Sequence, residues 1–229
     1  MIKKNHHYVW QHYLRQWKVG SIVCHNTKNG KIGETGEKGL AVEKHFYSIP
    51  ILSFDEIDFI KKYITSIEDR LSVPELTNLI RHEFSFIIEC LKDIAKRRGN
   101  HALRKISEEK LIDLLENKHS NIENLAKPIF DRLIKGEFFC LDNLNNFFKF
   151  LTLLSQQYMR TNQIEGRMQD MFAEFDDSKD YSKLISNTRA IIQYLAIYEL
   201  AAELSRREEI IICSLRTIVI YRLLQAIDL

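Results

Sequence analysis

Residues 144–158 read LNNFFKFLTLLSQQY, and the side chains of Leu144, Phe147, Leu151, Leu154 and Tyr158 recur at intervals of three or four. That is the period of an α-helix with one apolar face, and it predicts a helix here that packs against others of its kind. The same spacing recurs upstream in Leu76, Ile80, Phe84, Ile87, Leu91 and Ile94, and downstream in Leu184, Thr188, Ile191, Leu195 and Tyr198. Helix starts are marked by Ser53-Phe-Asp-Glu56, Ser72-Val-Pro-Glu75, Ser107-Glu-Glu-Lys110 and Ser120-Asn-Ile-Glu123, each with a side-chain acceptor at a potential N-cap and three with Glu at N3. These predict helices near 54–71, 73–98, 108–118 and 121–135, stopped by Gly99 and Gly136, with Pro128 kinking the last. The expected fold class is mainly α, a bundle of about seven helices with a small β region at the N-terminus.

Composition agrees. The 229 residues are 45% hydrophobic, enough for a core, and contain 8 Gly and 3 Pro, whereas average usage gives about 16 and about 11. The deficit favours helix, yet five of the eight glycines (Gly20, Gly30, Gly33, Gly36, Gly39) and five of the eight histidines (His6, His7, His12, His25, His45) fall in the first fifth of the chain. There, residues 21–33 carry a β-rich run into Asn29-Gly30, the dipeptide of a two-residue type I′ hairpin turn, and Leu40-Ala41-Val42 offers one further strand, three at most. Residues 1–50 are therefore expected to pack as a motif and hairpin on a helical bundle of 51–229, the two forming one structural domain.

Residues 1–49 hold eight Lys/Arg against three Glu, a charge of +5, which leaves −3 for the remainder. Such polarity suits an anionic partner, and a solvated surface gives the same count. Cys24, Cys90, Cys140 and Cys213 are far apart with no Cys-x-x-Cys pair, as expected of reduced thiols in a cytoplasmic protein. The most apolar run, Ile210 to Leu224, is interrupted by Arg216 and Arg222 and reads as a core helix, so no membrane partner is expected. Phosphate-loop, dinucleotide-fold, zincin and nucleophile-elbow motifs are missing. So is the Arg-x(4–6)-His pattern of the helical ribonucleases of higher prokaryotes and eukaryotes.

Chemistry concentrates in Asn5-His6-His7-Tyr8-Val9-Trp10-Gln11-His12-Tyr13-Leu14-Arg15-Gln16-Trp17. Histidine takes or gives a proton near neutral pH, and adjacent His6 and His7 point apart in an extended chain, so one of them reaches any given site. Glu43 is a candidate carboxylate to orient such a histidine, the bland alternative being an ion pair with Lys44 or Lys3. Metal binding would draw on His6 or His7 with Cys24, His25, Glu43 or His45, but the local pairs of tetrahedral zinc sites are lacking. No metal ligand is assigned, and a divalent metal stays open as a cofactor. Lys96-Arg97-Arg98-Gly99-Asn100-His101-Ala102-Leu103-Arg104-Lys105 suits either phosphate or a helix C-terminus. Arg160 and Arg167, on or after an apolar helix, require an anion, and Asp170, Glu174 or Asp176 are the expected internal ones.

The opening string, His6 to Trp17, resembles the bacterial domain-of-unknown-function 4238 family, whose members open with His-His-Tyr-Val-Pro-Gln, an aromatic, Tyr-Leu-Arg and another aromatic. Lys28-Asn29-Gly30-Lys31, Ala41-Val42-Glu43-Lys44-His45-Phe46-Tyr47-Ser48, Ile67-Glu68 and Gln157 with Arg160-Thr161 extend the resemblance. Trp10 stands where the family has Pro, a change expected to alter the backbone after the histidines. The strand-rich C-terminal part usual in the family, with its Ser-Asp-Asn-Pro-like motif, is not recognisable in this sequence. The resemblance implies that His6, His7, Arg15, Glu43 and Tyr47 matter, and it implies no reaction.

Two readings follow. In one, the protein is a nucleic-acid-directed effector, a His-dependent nuclease or toxin in bacterial (phage) defence: His6 or His7 is the base, Glu43 orients it, and Tyr8, Arg15, Tyr47 and Arg160 hold the substrate. In the other, it is a non-catalytic module whose bundle presents the hairpin to a protein partner.

Overall fold

The computed structural model describes residues 5–7, 9–26, 30–44, 50, 52–70, 81–82, 85, 87–93, 96, 101–160, 164, 167 and 182–206. Their elements run β1 (Asn5–His7), α1 (Gln11–Arg15), β2 (Lys18–Val19), β3 (Ile22–Asn26), β4 (Ile32–Thr35), β5 (Val42–Lys44), α2 (Phe54–Arg70), α3 (His101–Ile134), a 3₁₀ turn (Phe138–Asp142), α4 (Leu144–Met159) and α5 (Ser182–Ser205). Residues 87–93 are also helical. The fold is mainly α with small antiparallel sheets near the N-terminus. The starts at Ser72, the stop at Gly99, the positions Leu76, Ile80, Phe84 and Ile94, and the run 210–224 lie outside the described residues. Among the described residues no helix is long and apolar enough to cross a membrane. Cys24, Cys90 and Cys140 are free thiols.

Helix α2 begins at the predicted box. The Glu56 amide donates to Ser53 Oγ at 3.2 Å, and the Ser53 amide donates back to the Glu56 carboxylate. Glu56 also accepts a 2.6 Å hydrogen bond from Asn187 Nδ2, which ties the start of α2 to α5.

Ser107 and Ser120 start no helix, because α3 runs unbroken through both. Leu115, His119, Ile122, Ala126 and Ile129 are buried at alternating intervals of four and three, a stripe that crosses Ser120 without interruption. No Gly or Pro separates residues 101 and 127, so a local capping preference yields to continuous packing. The helix also continues past Pro128 to Ile134. It ends where Gly136 adopts φ +81°, with the Gly136 amide on the Leu133 carbonyl and the Glu137 amide on the Arg132 carbonyl, both at 3.0 Å, a Schellman motif.

Helix α4 starts from Asn143, whose side chain accepts the Asn146 amide at 3.1 Å. Its buried face differs from the predicted one: Leu144, Leu154 and Tyr158 are exposed, while Phe147, Phe150, Leu151, Leu153, Gln156 and Met159 are buried. The helix packs on both α3 and α5, so the face that enters the core is wider and rotated toward the two phenylalanines. Helix α5 is the centre of the bundle. Beyond the predicted stripe it buries Ala190, Ile192, Gln193, Tyr194 and Ile197, as a helix surrounded on all sides does.

Among the described residues the β region holds five short strands rather than three, in two sheets ordered β1-β5 and β2-β3-β4. The 21–33 hairpin is present, with Asn26 paired to Ile32 and Gly30 left-handed at φ +71°, and Asn29 of the expected turn lies outside the described residues. The fifth strand begins at Val42, one residue after Ala41, which holds φ +51°. Trp10, 7% exposed, joins the bundle core.

Glu56→Ala removes half of the capping box and the bond to Asn187, and is expected to lower stability by about 2 kcal/mol in urea unfolding at neutral pH. Burial pushes the Glu56 carboxyl up, but Asn187 and the Ser53 amide and hydroxyl together bring it below its ordinary 4.5. Its contribution is therefore present above pH 4.5 and is lost as pH falls below that value, so wild type and variant converge in acid.

Candidate active site

The first turn of the chain is fixed by two side chains of α4. Trp10 donates its amide to Gln157 Oε1 at 2.9 Å, and the Arg160 guanidinium donates to the His7 carbonyl. Trp10 sits at φ −61° and ψ 122°, which is proline's own φ. A proline could adopt this φ, and tryptophan adds an amide donor that proline lacks. Its ring meets Phe130 edge-on at 5.3 Å.

Alternation along β1 separates the two histidines. His6, paired in register with Glu43, is buried at 1% exposure, and His7, paired with Val42, lines a cavity of about 400 Å³. Helix α1 brings Gln11, His12 and Arg15 to the same cavity, and α3 supplies Glu116, His119, Glu123 and Lys127. Arg160 closes the wall between them.

Charges here are mostly matched. Arg160, 3% exposed, donates to Glu123 Oε1 at 2.6 Å, and Gln156 Nε2 braces the same region by donating to the His119 carbonyl at 3.2 Å. Asp131 bridges His12 Nε2 and Lys127 Nζ, each at 2.5 Å; burial raises its pKa, and the Lys127 and His12 bonds more than reverse that. Arg15 reaches Glu37 at 3.4 Å and is half exposed. Glu116 Oε2 is buried without a hydrogen-bond partner.

Two imidazoles are held toward the neutral form. Burial lowers the pKa of His7 and Arg160 adds to this, while the Leu40 carbonyl and Glu116 act in the opposite sense. His119 is depressed well below 6.5, first by complete burial and then by Arg160 and His6. The Gln11 side-chain amide hydrogen-bonds His7 Nε2. With the amide nitrogen as donor, that ring nitrogen carries a lone pair, the form in which imidazole accepts a proton.

Of the residues singled out by sequence, His7, Arg15 and Arg160 share this cavity. Glu43 stands exposed across β1 from His6 and is not part of the lining. Tyr8, His45, Tyr47, the acids at 170–176 and the side chains of 97–105 lie outside the described residues. The anion of Arg160 is Glu123, and Arg167 instead bonds the Tyr158 hydroxyl. Among the described residues no three or more His, Cys, Asp or Glu side chains gather into a metal-binding set.

Sequence reasoning missed Glu116, His119, Glu123 and Lys127. Their spacing of three and four marks a polar stripe along one helix, and the expected break at Ser120 cut it in two.

The match to known families covers most of the chain. The model of the family described as "Protein of unknown function (DUF4238)" matches residues 5–190. The chain belongs to that family. No curated protein and no solved structure matches it. The family match spans both the β1 strand and the α4 residues Gln157 and Arg160, so it includes both sides of the clamp.

Arg160→Ala removes the buried ion pair with Glu123 and releases the His7 carbonyl. A cost of about 3–5 kcal/mol in denaturant unfolding is expected, with a red shift of Trp10 emission as the arm loosens. The depressed pKa of His119 gives a second expectation: below pH 6.5 the unfolded chain takes a proton that the folded chain refuses, so stability falls as pH drops. His7 acts in the same sense, and His119→Gln should flatten, without abolishing, the loss of urea midpoint between about pH 7.5 and 5.5.

Proposed function

We propose that the cavity binds a phosphodiester and that the protein is a nucleic-acid-directed hydrolase, acting as a toxin or in bacterial defence. The observation that carries this reading is the His7 imidazole, kept toward its neutral form with Nε2 bonded by Gln11 on a cavity that also holds Arg15 and Lys127. A neutral imidazole beside cations suits a reaction in which a hydroxyl is deprotonated next to an anionic phosphorus centre.

In the proposed reaction the Gln11 amide gives way to substrate, and His7 Nε2 takes the proton of the attacking water or ribose hydroxyl. The oxygen attacks phosphorus, the bond to the leaving oxygen breaks, and that oxygen receives a proton. His12, held by Asp131, is a further imidazole on the cavity and the group assigned to give it. Arg15 and Lys127 bind the phosphate oxygens. In this reading Glu43 takes no part at the His7 ring, Gln11 positions it through Nε2, and His6 is a packing residue.

The alternative, a non-catalytic module for a protein partner, draws on the clamp itself: Gln157 and Arg160 tie the arm through its backbone, which needs no chemistry at the histidine rings.

One experiment separates them. Purified protein is incubated with labelled RNA and DNA, with and without divalent metal, beside His7→Ala and His6→Ala. Cleavage is expected from the wild type, with a loss of about 10²–10⁴-fold in His7→Ala at near-unchanged stability, whereas His6→Ala loses stability. The acidic limb of the rate profile should fall below pH 6.5, since a base with a lowered pKa stays competent to lower pH. Intact RNA and DNA under every condition, with no binding at low salt, would overturn the proposal.

A further inference from the structure

The aromatic residues of the N-terminal segment divide sharply by exposure. Trp10 is buried, whereas Tyr13 and Trp17 are 39% and 45% exposed. The two exposed rings meet edge-on at 5.9 Å, and Tyr13 leans on Phe130 at 6.2 Å. Phe130 in turn touches Trp10 at 5.3 Å and His12 at 5.9 Å, both of which line the cavity. A continuous aromatic path thus leads from the cavity wall to the surface.

Cations accompany this path. Arg15 lies between Tyr13 and Trp17 in sequence and also lines the cavity, and Lys18 follows directly, the two meeting on Glu37. Exposed rings interleaved with cations are the combination that holds unpaired bases by their faces and the chain by its phosphates. A duplex offers no free base face, and a bare polyanion has no use for the rings.

Resting on the phosphodiester reading of the cavity, we infer that Tyr13 and Trp17 form a base-stacking platform that selects single-stranded nucleic acid and feeds its backbone to His7. The base stacks against the pair while the neighbouring phosphate is held at Arg15. The platform belongs to α1 and the residues directly after it, so it is fixed relative to His12 and Gln11.

The test uses full-length His7→Asn protein, so that binding is read without cleavage, and three probes of equal length: single-stranded oligouridylate, an abasic oligomer with the same phosphates, and a duplex. At low salt the oligouridylate is expected to bind about tenfold or more tightly than the abasic chain and to beat the duplex. Trp17→Ala should bring it down to the abasic level, and Trp17→Phe, which keeps a ring, should restore most of the difference. Equal binding of abasic and base-bearing chains, an unchanged affinity in Trp17→Ala, or no binding of any probe would overturn the platform. Selective binding without cleavage by the wild type leaves the platform standing and removes the hydrolase. Cleavage with unaltered binding in Trp17→Ala does the reverse.

Discussion

The guanidinium of Arg160 has almost no access to water, and that one fact constrains the rest of the structure. A buried cation must be met by an anion and by acceptors on its remaining donors. Glu123 of α3 supplies the anion, and the His7 carbonyl of β1 supplies an acceptor. One side chain at the end of α4 therefore fixes both the long helix beside it and the extended arm that crosses it. The His7 carbonyl is held in a strand whose register against β5 pairs His6 with Glu43 and His7 with Val42, and the His7 ring lines the cavity. Burial is the main cause that lowers the pKa of His7 and of His119, and the same positive charge adds to it.

Trp10 shows how a departure from the family motif is absorbed. Its φ of −61° lies in the range that proline itself adopts. The added amide is not left bare, because Gln157 accepts it. The added ring is buried against Phe130 and shares the bundle core. Local conformation and tertiary packing agree at this position, which is why a bulky residue is tolerated at the entrance of a candidate site.

What could be read from sequence follows the range of the interaction. The Ser53–Glu56 box and the stop at Gly136 are short-range devices and were legible as written. Ser120 carries the same local signal, yet its position sits inside a stripe of Leu115, His119, Ile122, Ala126 and Ile129 that packing against α4 enforces. The hairpin was legible from Asn29-Gly30, but its register was set by the pairing of Asn26 with Ile32, which no dipeptide encodes. For Arg160, the need for an anion followed from helix polarity, while the pairing with Glu123 depended on how α3 and α4 cross. Alternation at His6 and His7 correctly implied that only one would face a given site; which one depended on the pairing of β1.

Helix α3 carries two stripes at once. Its apolar stripe packs the core through Leu115, Ile122, Ala126 and Ile129, and its polar stripe lines the cavity through Glu116, Glu123 and Lys127. Adjacent positions on a helix lie about 100° apart, so residue 116 turns away from 115 and residue 123 from 122 by the same rotation. His119 belongs to both sets: it is buried in the core stripe, meets Tyr194 of α5 edge-on at 5.5 Å, and still reaches the cavity. Rotating α3 to move one cavity group would expose core residues on the other stripe, and the core resists that at every turn. The cavity floor is therefore as rigid as the bundle, whereas His7, Gln11 and Arg15 ride on a short arm held by a few hydrogen bonds. Any motion that admits a ligand falls on the arm, and its extent is limited by the two bonds from Gln157 and Arg160.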